Sequence, residues 1–535
     1  MSMIAHRPLA AAATCALALV VAACGGATTT ASAPGAAGTA GKGADAFPAS
    51  TLFFVDANAD VNSSAWQKVR TVGARFPGYA KVEAKVAEAV SKTGQDGFSF
   101  AKDIQPWAGD EAAVGVLSIT LAGGKPKPQF VAYLSSKDDA KATAAITGDG
   151  SAKKTGDYRG YAQYTADEAF IAVGKSAVLV SGDSISLKAS IDAREGAAAD
   201  RLSGSPLYTE ALGTLPDDNV LVGYADGPKL AQLAGTAFEA AAGAGAKGLP
   251  PAQVDQALSR LEALRAIAFS AGADDNGFRL HMSTLLDQAK TKALKGVESS
   301  ELALLDRAPA DALLYAGTPG FGDTLAKSVA DATAANPEVA QGIAGFEAMT
   351  GLSVTGDLLP LLSGELGLYV SGGAPAKGAL LLLPKDPTAA AASLKKITAA
   401  VGKAGTSGAN VPKFAPLPTG EGEIATVDGH DVSWLHDGDL IAIGFDTGGV
   451  PPAGGLASSD RFRSVHDAAK APDKVGALLY ADVPGLVALA QRSGAGQVPA
   501  EALANIQALG GVLAWSTQED GVGKSELYVQ VPSQG

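Results

Sequence analysis

Apolar positions along this chain fall into short alternating runs broken by tight polar turns, with a few stretches of helical spacing between them. Thr51–Val55 alternates as a strand, and Ala65–Phe76 and Tyr79–Ser91 have helical spacing, the second with Val82, Val86, Ala89 and Val90 on one face. Ala112–Leu121 and Gln129–Leu134 predict a hairpin around Gly123-Gly124-Lys125-Pro126. Tyr158–Tyr164, Phe170–Val173 and Ala177–Val180 predict further short strands, and Val220–Tyr224 leads into a helix from Asp226. Arg265–Ala271 and Gly277–Leu285 predict a closing hairpin, with Asp274-Asp275-Asn276-Gly277 suited to a type I′ turn.

The same text is written twice. Pro48 in Phe47-Pro48-Ala49-Ser50-Thr51 answers Pro309 in Ala308-Pro309-Ala310-Asp311-Ala312, an offset of 261. Asp103-Ile104-Gln105-Pro106-Trp107 answers Asp357-Leu358-Leu359-Pro360-Leu361 at 254, and Tyr224-Ala225-Asp226 answers Tyr480-Ala481-Asp482 at 256. The second half also closes on a hairpin, Gly511–Ser516 and Ser525–Val531 about Gln518-Glu519-Asp520-Gly521. Collinear offsets this similar predict a tandem duplication, with repeats at 47–290 and 300–535. Hairpins outnumber strand–helix–strand crossovers. The expected class is therefore α+β: two tandem homologous halves, each a mixed or mostly antiparallel sheet with helices packed on one face.

Ahead of the repeats, residues 1–23 have the form of an export signal: His6 and Arg7, then an apolar run from Leu9 to Val21. Val21-Ala22-Ala23-Cys24 resembles a bacterial lipobox, in which small residues fit the peptidase and the cysteine thiol accepts the lipid. An ordinary secretory signal or a retained membrane helix is the alternative; the run is short for a span and a polar stretch follows. Each buried acyl CH₂ contributes about 0.8 kcal/mol of anchoring. Residues 24–46, small and polar, are expected to be a flexible tether spanning roughly 25 Å. The only cysteines are Cys15 and Cys24, so the mature chain is expected to hold neither a disulfide nor a thiolate metal site.

The lipobox, the Phe47–Thr51 opening, the segment from Asp103 through Trp107 and Gly109 to Glu111, and the doubled halves resemble the DUF3352 family of bacterial, mostly actinobacterial, lipoproteins and membrane proteins. The similarity covers about residues 47–531. It implies an envelope setting and carries no activity and no functional residue.

Composition narrows the remaining classes. Of 535 residues, 47% are hydrophobic and 18% charged, enough apolar surface for large cores. Asp+Glu outnumber Lys+Arg by 55 to 42, a net charge of -13 that disfavours nucleic acid.

Candidate chemistry is sparse. Asp103 with Glu111, and Asp357 with Glu365, could be paired acid–base carboxylates; the structural reading is an Asp capping a turn, a Pro opening a helical turn and a Glu at the wet edge of a strand. Asp226 and Asp482 precede Pro as helix N-caps. Asp56-Ala57-Asn58-Ala59-Asp60-Val61-Asn62 resembles the start of a calcium loop, but Val61 and Gln67 stand where Gly and Glu belong. Gly243-Ala244-Gly245-Ala246-Lys247-Gly248 has dinucleotide-type glycines without the preceding strand. His430 and His436 could face one another for a metal only if a turn separates them. Ser151–Lys154 and Ser393–Lys396 have nucleophile spacing without companion residues. No catalytic, cofactor-binding or metal-binding residue is expected; Cys24 is the one modified residue.

The expected role is that of a lipid-anchored protein at the extracytoplasmic face of the cell membrane, with a non-catalytic binding or scaffolding function toward an envelope protein or apolar ligand. The alternative is a carrier of lipid or another apolar molecule, with Leu380–Leu383, Leu358–Leu362 and Phe130–Leu134 lining its pocket. An importer's solute-binding subunit is a lesser alternative and would need parallel lobes.

Overall fold

The computed structural model describes residues 42–81, 103–122, 125–148, 150–243, 258, 261–291, 298–373, 376–404, 412–418, 420–450, 452–493 and 499–533. The chain divides into two compact units, with the division near Asp287 and Gln288. The signal, Val21, Ala22, Ala23 and Cys24 lie outside the described residues, as does most of the helix expected over Tyr79–Ser91.

In unit 1 the strands are β1 (Phe53–Asn58), β2 (Ala108–Ala122), β3 (Lys125–Ser136), β4 (Lys153–Tyr158), β5 (Tyr161–Ala166), β6 (Ala169–Gly174), β7 (Ala177–Ser181), β8 (Leu221–Asp226), β9 (Leu264–Ala273) and β10 (Gly277–Leu286). They pair in the order β10-β9-β8-β1-β2-β3-β7-β6-β5-β4, every neighbour antiparallel. The helices are α1 (Ser64–Gly73), α2 (Asp139–Thr147), α3 (Ser184–Glu195), α4 (Pro206–Leu212) and α5 (Gly227–Gly243). Side chains start them: the Ser63, Asp138, Asp183 and Ser205 oxygens each accept a first-turn backbone N–H of α1 to α4.

Unit 2 contains β11 (Ala312–Thr318), β12 (Glu365–Ser371), β13 (Lys377–Leu383), β14 (Ala415–Pro416), β15 (Glu421–Val427), β16 (His430–Asp437), β17 (Leu440–Phe445), β18 (Ala477–Asp482), β19 (Gly511–Glu519) and β20 (Val522–Gln530). Their order is β20-β19-β18-β11-β12-β13-β17-β16-β15-β14, again antiparallel throughout. Each pairing of unit 1 recurs with both strand numbers raised by ten. The α-helices of five or more residues are α6 (Ala303–Arg307), α7 (Phe321–Ala335), α8 (Pro337–Thr350), α9 (Pro387–Ala404), α10 (Asp460–Ala469), α11 (Val483–Arg492) and α12 (Ala500–Gln507).

Helices cover both faces of each sheet, not one. In unit 1, Leu179, Ala172 and Tyr133 share a core with Leu187 and Ile191 of α3 and Tyr208 of α4. Their strand neighbours Val178 and Val173 point the other way and pack with Tyr164, Trp107 and Ala142 of α2. Unit 2 does likewise: Leu381, Leu435 and Ala442 lie under Phe462 and Val465 of α10, whereas Leu382, Trp434 and Ile441 lie under Ala390 and Leu394 of α9. The reason is visible in the strands. Apolar residues adjacent in sequence face opposite sides, and both sides need a cover.

Three local expectations also change. Tyr158–Tyr164 is two strands, broken at Arg159 and Gly160, whose φ of 49° and 90° make a tight hairpin turn. The turn at Asp274–Gly277 has no positive φ and is therefore not type I′; the Asp274 carboxylate accepts the Asn276 N–H instead (2.8 Å). The two positive φ that a type I′ turn needs occur at Asp520-Gly521, at 49° and 81°, as they do at Arg159-Gly160. Finally, Lys42–Ala46 is a 3₁₀ turn whose Ala44 and Ala46 are fully buried beside Phe47. The packed body thus includes the end of the segment that composition assigned to the tether.

Candidate functional site

Unit 2 contains a cleft of about 450 Å³, lined by Arg461, Ser464, Asp482, Pro484, Ala488 and Gln530 with Tyr480 and Val465 behind them. It forms where α10 crosses the ends of β18–β20 and α11 begins. Asp482 ends β18 and caps α11: its carboxylate accepts the Gly485 N–H (3.2 Å) and holds Arg461 Nη1 at 2.7 Å. The Asp482 side chain is 7% exposed and that of Arg461 65%. One charge is therefore fixed in the wall, and the other reaches into solvent. Gln530 donates from Nε2 to the Ser464 carbonyl and hydroxyl oxygens, both at 3.1 Å. Two glycines here allow close packing: a Cβ on Gly485 would lie 2.4 Å from a Leu313 methyl, and one on Gly511 would lie 2.4 Å from a Val465 methyl.

At the corresponding junction of unit 1 the side chains differ. Glu210, five residues past the α4 cap Ser205, corresponds to Ser464, five past the α10 cap Ser459. Arg265 precedes the β9 partner of Asp226 as Gly510 precedes the β19 partner of Asp482. Arg265 and Glu210 form a two-bond ion pair, at 2.7 and 2.6 Å. The residue corresponding to Gln530 is Leu285, 1% exposed in the core. Asp226 caps α5 as expected, with its carboxylate at 3.1 Å from the Lys229 N–H and 2.5 Å from the Lys229 ammonium.

The residues singled out in the sequence go elsewhere. Asp357 is buried; its carboxylate accepts the Ser353 N–H (2.8 Å) and pairs with Lys396 of α9 (2.6 Å), so the Lys396 ammonium and then that N–H hold its pKa below the usual carboxylate value. Glu365 opens β12, but it is not at a wet edge. Both its oxygens cap α6, accepting from Ala303 and Leu304 (2.9 and 2.8 Å), and burial pushes its pKa up. The two carboxylates thus serve different elements and do not form a shared acid–base pair. In unit 1 the Asp103 carbonyl accepts the Trp107 indole N–H (2.5 Å), and the Glu111 backbone exchanges hydrogen bonds with the Ser135 hydroxyl.

Asp56 sits fully buried on β1, with the Gly43 N–H at 3.3 Å from its carboxylate. Asn58 and Asp60 accept the N–H groups of Asp60 and Asn62 and lead into α1. That is a polar strand-to-helix connection. His430 and His436 lie at opposite ends of one continuous strand, β16, with no turn between them; their Nδ1 atoms meet Asp446 (2.8 Å) and Glu421 (2.7 Å). Among the described residues no cluster of His, Cys, Asp and Glu could hold a metal. Ser393 is buried in α9, and Lys396 is committed to Asp357. The glycine run leaves the described residues after Gly243.

The apolar stretches offered as a carrier pocket are core: Leu381 and Leu382 are fully buried, Leu359 and Leu361 nearly so, and Val131 and Tyr133 fill the unit 1 sheet. Antiparallel sheets likewise remove the parallel lobes of an importer subunit. Sequence reading missed Arg461, Ser464, Gly510 and Gln530. A signal lies in comparing equivalent positions of the two units, where Glu210, Arg265 and Leu285 stand opposite Ser464, Gly510 and Gln530.

The family described as "Protein of unknown function (DUF3352)" matches residues 9–531, and the chain belongs to it. No curated protein matches the chain. Among solved structures, crystal form I of TP0453 is similar at 11% identity and a TM-score of 0.23, covering 47% of this chain and 80% of that one. Crystal form IV of TP0453 gives 9% identity and 0.24, covering 49% and 85%. Likeness at that level carries no argument about fold or role. Among the described residues, no helix is long and apolar enough to cross a membrane.

Proposed function

We propose that the mature chain is a non-catalytic binding protein of the cell envelope, held at the extracytoplasmic face by acyl groups on Cys24 and built from two tandem homologous modules. The observation that carries the anchoring is Val21-Ala22-Ala23-Cys24 at the end of the apolar run, with Cys24 the one cysteine beyond the signal.

Duplication is supported beyond the sequence offsets by matching detail. Leu202 donates its N–H to the Phe47 carbonyl (2.8 Å) as Leu456 does to that of Ala308 (3.0 Å). Tyr208 meets Tyr224 edge-on at 5.2 Å and 77°, and Phe462 meets Tyr480 at 5.2 Å and 76°. The non-catalytic reading is supported by the structural commitments of Asp357 and Glu365.

The test is fractionation of cells expressing Cys24→Ser, together with the mass of the N-terminal peptide of the unaltered protein. The reading expects an acylated cysteine at the mature N-terminus and loss of the variant from the membrane fraction. An unmodified or retained residue 1–23 segment overturns it.

A further inference from the structure

We propose that the unit 2 cleft binds a small organic anion with an apolar body, its carboxylate or phosphate held by Arg461 and its body lying on Pro484, Ala488 and Val465. The inference rests on the binding role proposed above and gives that role a site and a ligand class.

The volume, about 450 Å³, falls among small-molecule pockets. What remains to bind in it follows from elimination. The start of α11 is spent: Pro484 has no N–H, the Val483 N–H goes to the Gly510 carbonyl (3.3 Å) and that of Gly485 to Asp482. The helix end therefore offers an anion little. Asp482 has one oxygen on Gly485 and the other on Arg461, so a ligand cation would have to displace an existing pair. Gln530 is held on Ser464.

Arg461 is different. Only its Nη1 meets a protein acceptor among the described residues, and the planar guanidinium has further N–H donors for a second anion. Asp482 acts through it as a positioning residue, fixing the side chain at the mouth. Pro484 and Ala488 of α11 give the lining an apolar stretch beside the Gln530–Ser464 pair. An anionic head with a compact apolar body matches that distribution.

Unit 1 supplies the control, because there Glu210, Arg265 and Leu285 stand at the positions of Ser464, Gly510 and Gln530. Nothing in unit 1 corresponds to Arg461, since the residue two past the α4 cap is Leu207.

The experiment uses the chain from residue 24 onward with Cys24→Ser, so that no attached lipid competes. Naphthalene-2-carboxylate is titrated against its neutral carboxamide by ligand-observed NMR, and pelleting with phosphatidylglycerol vesicles is measured in parallel. The carboxylate should bind with a dissociation constant on the order of 1 mM or tighter. The carboxamide and the Arg461→Gln variant should each bind about tenfold more weakly. The triple variant Ser464→Glu, Gly510→Arg, Leu for Gln530 (Q530L) copies the unit 1 side chains and should lose binding while melting as a folded protein; if it fails to fold, Arg461→Gln alone decides. Equal binding of carboxylate and carboxamide, or binding indifferent to Arg461, overturns the proposal. Arg461-dependent vesicle pelleting without carboxylate binding overturns it in favour of a lipid headgroup. Failure here leaves the Cys24 fractionation result standing, and failure there leaves this titration unaffected.

Discussion

Unit 1 and unit 2 share one ten-strand pairing order among the described residues, yet they finish the same junction in different ways. In unit 1, α3, which lies between β7 and α4 in the chain, inserts Leu187 and Ile191 into the core, and Glu210 and Arg265 form an exposed ion pair at the junction. Among the described residues, unit 2 has no helix between β17 and α10. Leu417 and Leu456 join its core, and Ser464 and Gly510 leave the junction open. The lesson is about what the frame tolerates. Backbone hydrogen bonds fix the strand order, so side chains at the strand ends can change from an ion pair to a cleft lining without disturbing it.

If the frames are equivalent, truncating the buried tyrosine of either should cost alike. Tyr224→Ala and Tyr480→Ala are each expected to destabilise by roughly 3–5 kcal/mol in denaturant titrations. Double-mutant cycles with Tyr208 and Phe462 should return similar couplings of about 0.5–1.5 kcal/mol. A large cost in one unit and a negligible one in the other would break the equivalence.

Acid titration sharpens the contrast within unit 2. Asp357 has a lowered pKa, so its contribution is present above the unfolded value near 3.8 and is lost as pH falls through the lower folded value. Glu365 has a raised pKa, so stability declines as pH climbs from about 4.5 to its folded value and then stays level. Asp357→Asn should cost about 1–3 kcal/mol at pH 7 and flatten the acid limb of urea-derived stability. Glu365→Gln should remove the decline above pH 4.5. Profiles unchanged by either substitution would contradict these assignments.

The smallest effect concerns turns. Gly429 has φ of 86° with open space around it, and Gly521 has φ of 81°; alanine at either should cost about 1 kcal/mol in thermal or chemical unfolding. Asn276→Ala should change stability little, because that turn uses the Asn276 backbone and the Asp274 side chain.

Much of this architecture was legible in the sequence, and the losses have physical causes. Strand positions came through because hairpin turns and alternation are local, as at Ala169–Gly174 and Ala177–Ser181. Two-sided cover was missed because paired apolar residues such as Val178-Leu179 were read as strand content, not as a demand from both faces. Asn276-Gly277 was misjudged because a side chain, that of Asp274, can hold a turn that composition assigns to glycine. The cleft was invisible for another reason. Ser464, Gly510 and Gln530 carry no chemical signature alone and mean something only against Glu210, Arg265 and Leu285.

The buried 3₁₀ turn at Lys42–Ala46 has a mechanical consequence. Force drawn through the N-terminal segment meets the first unit at Ala44, Ala46 and Phe47, which are wedged into its interior, and not at a slack surface loop. If residues 24–41 serve as the expected tether, tension along it would load this buried turn before β1.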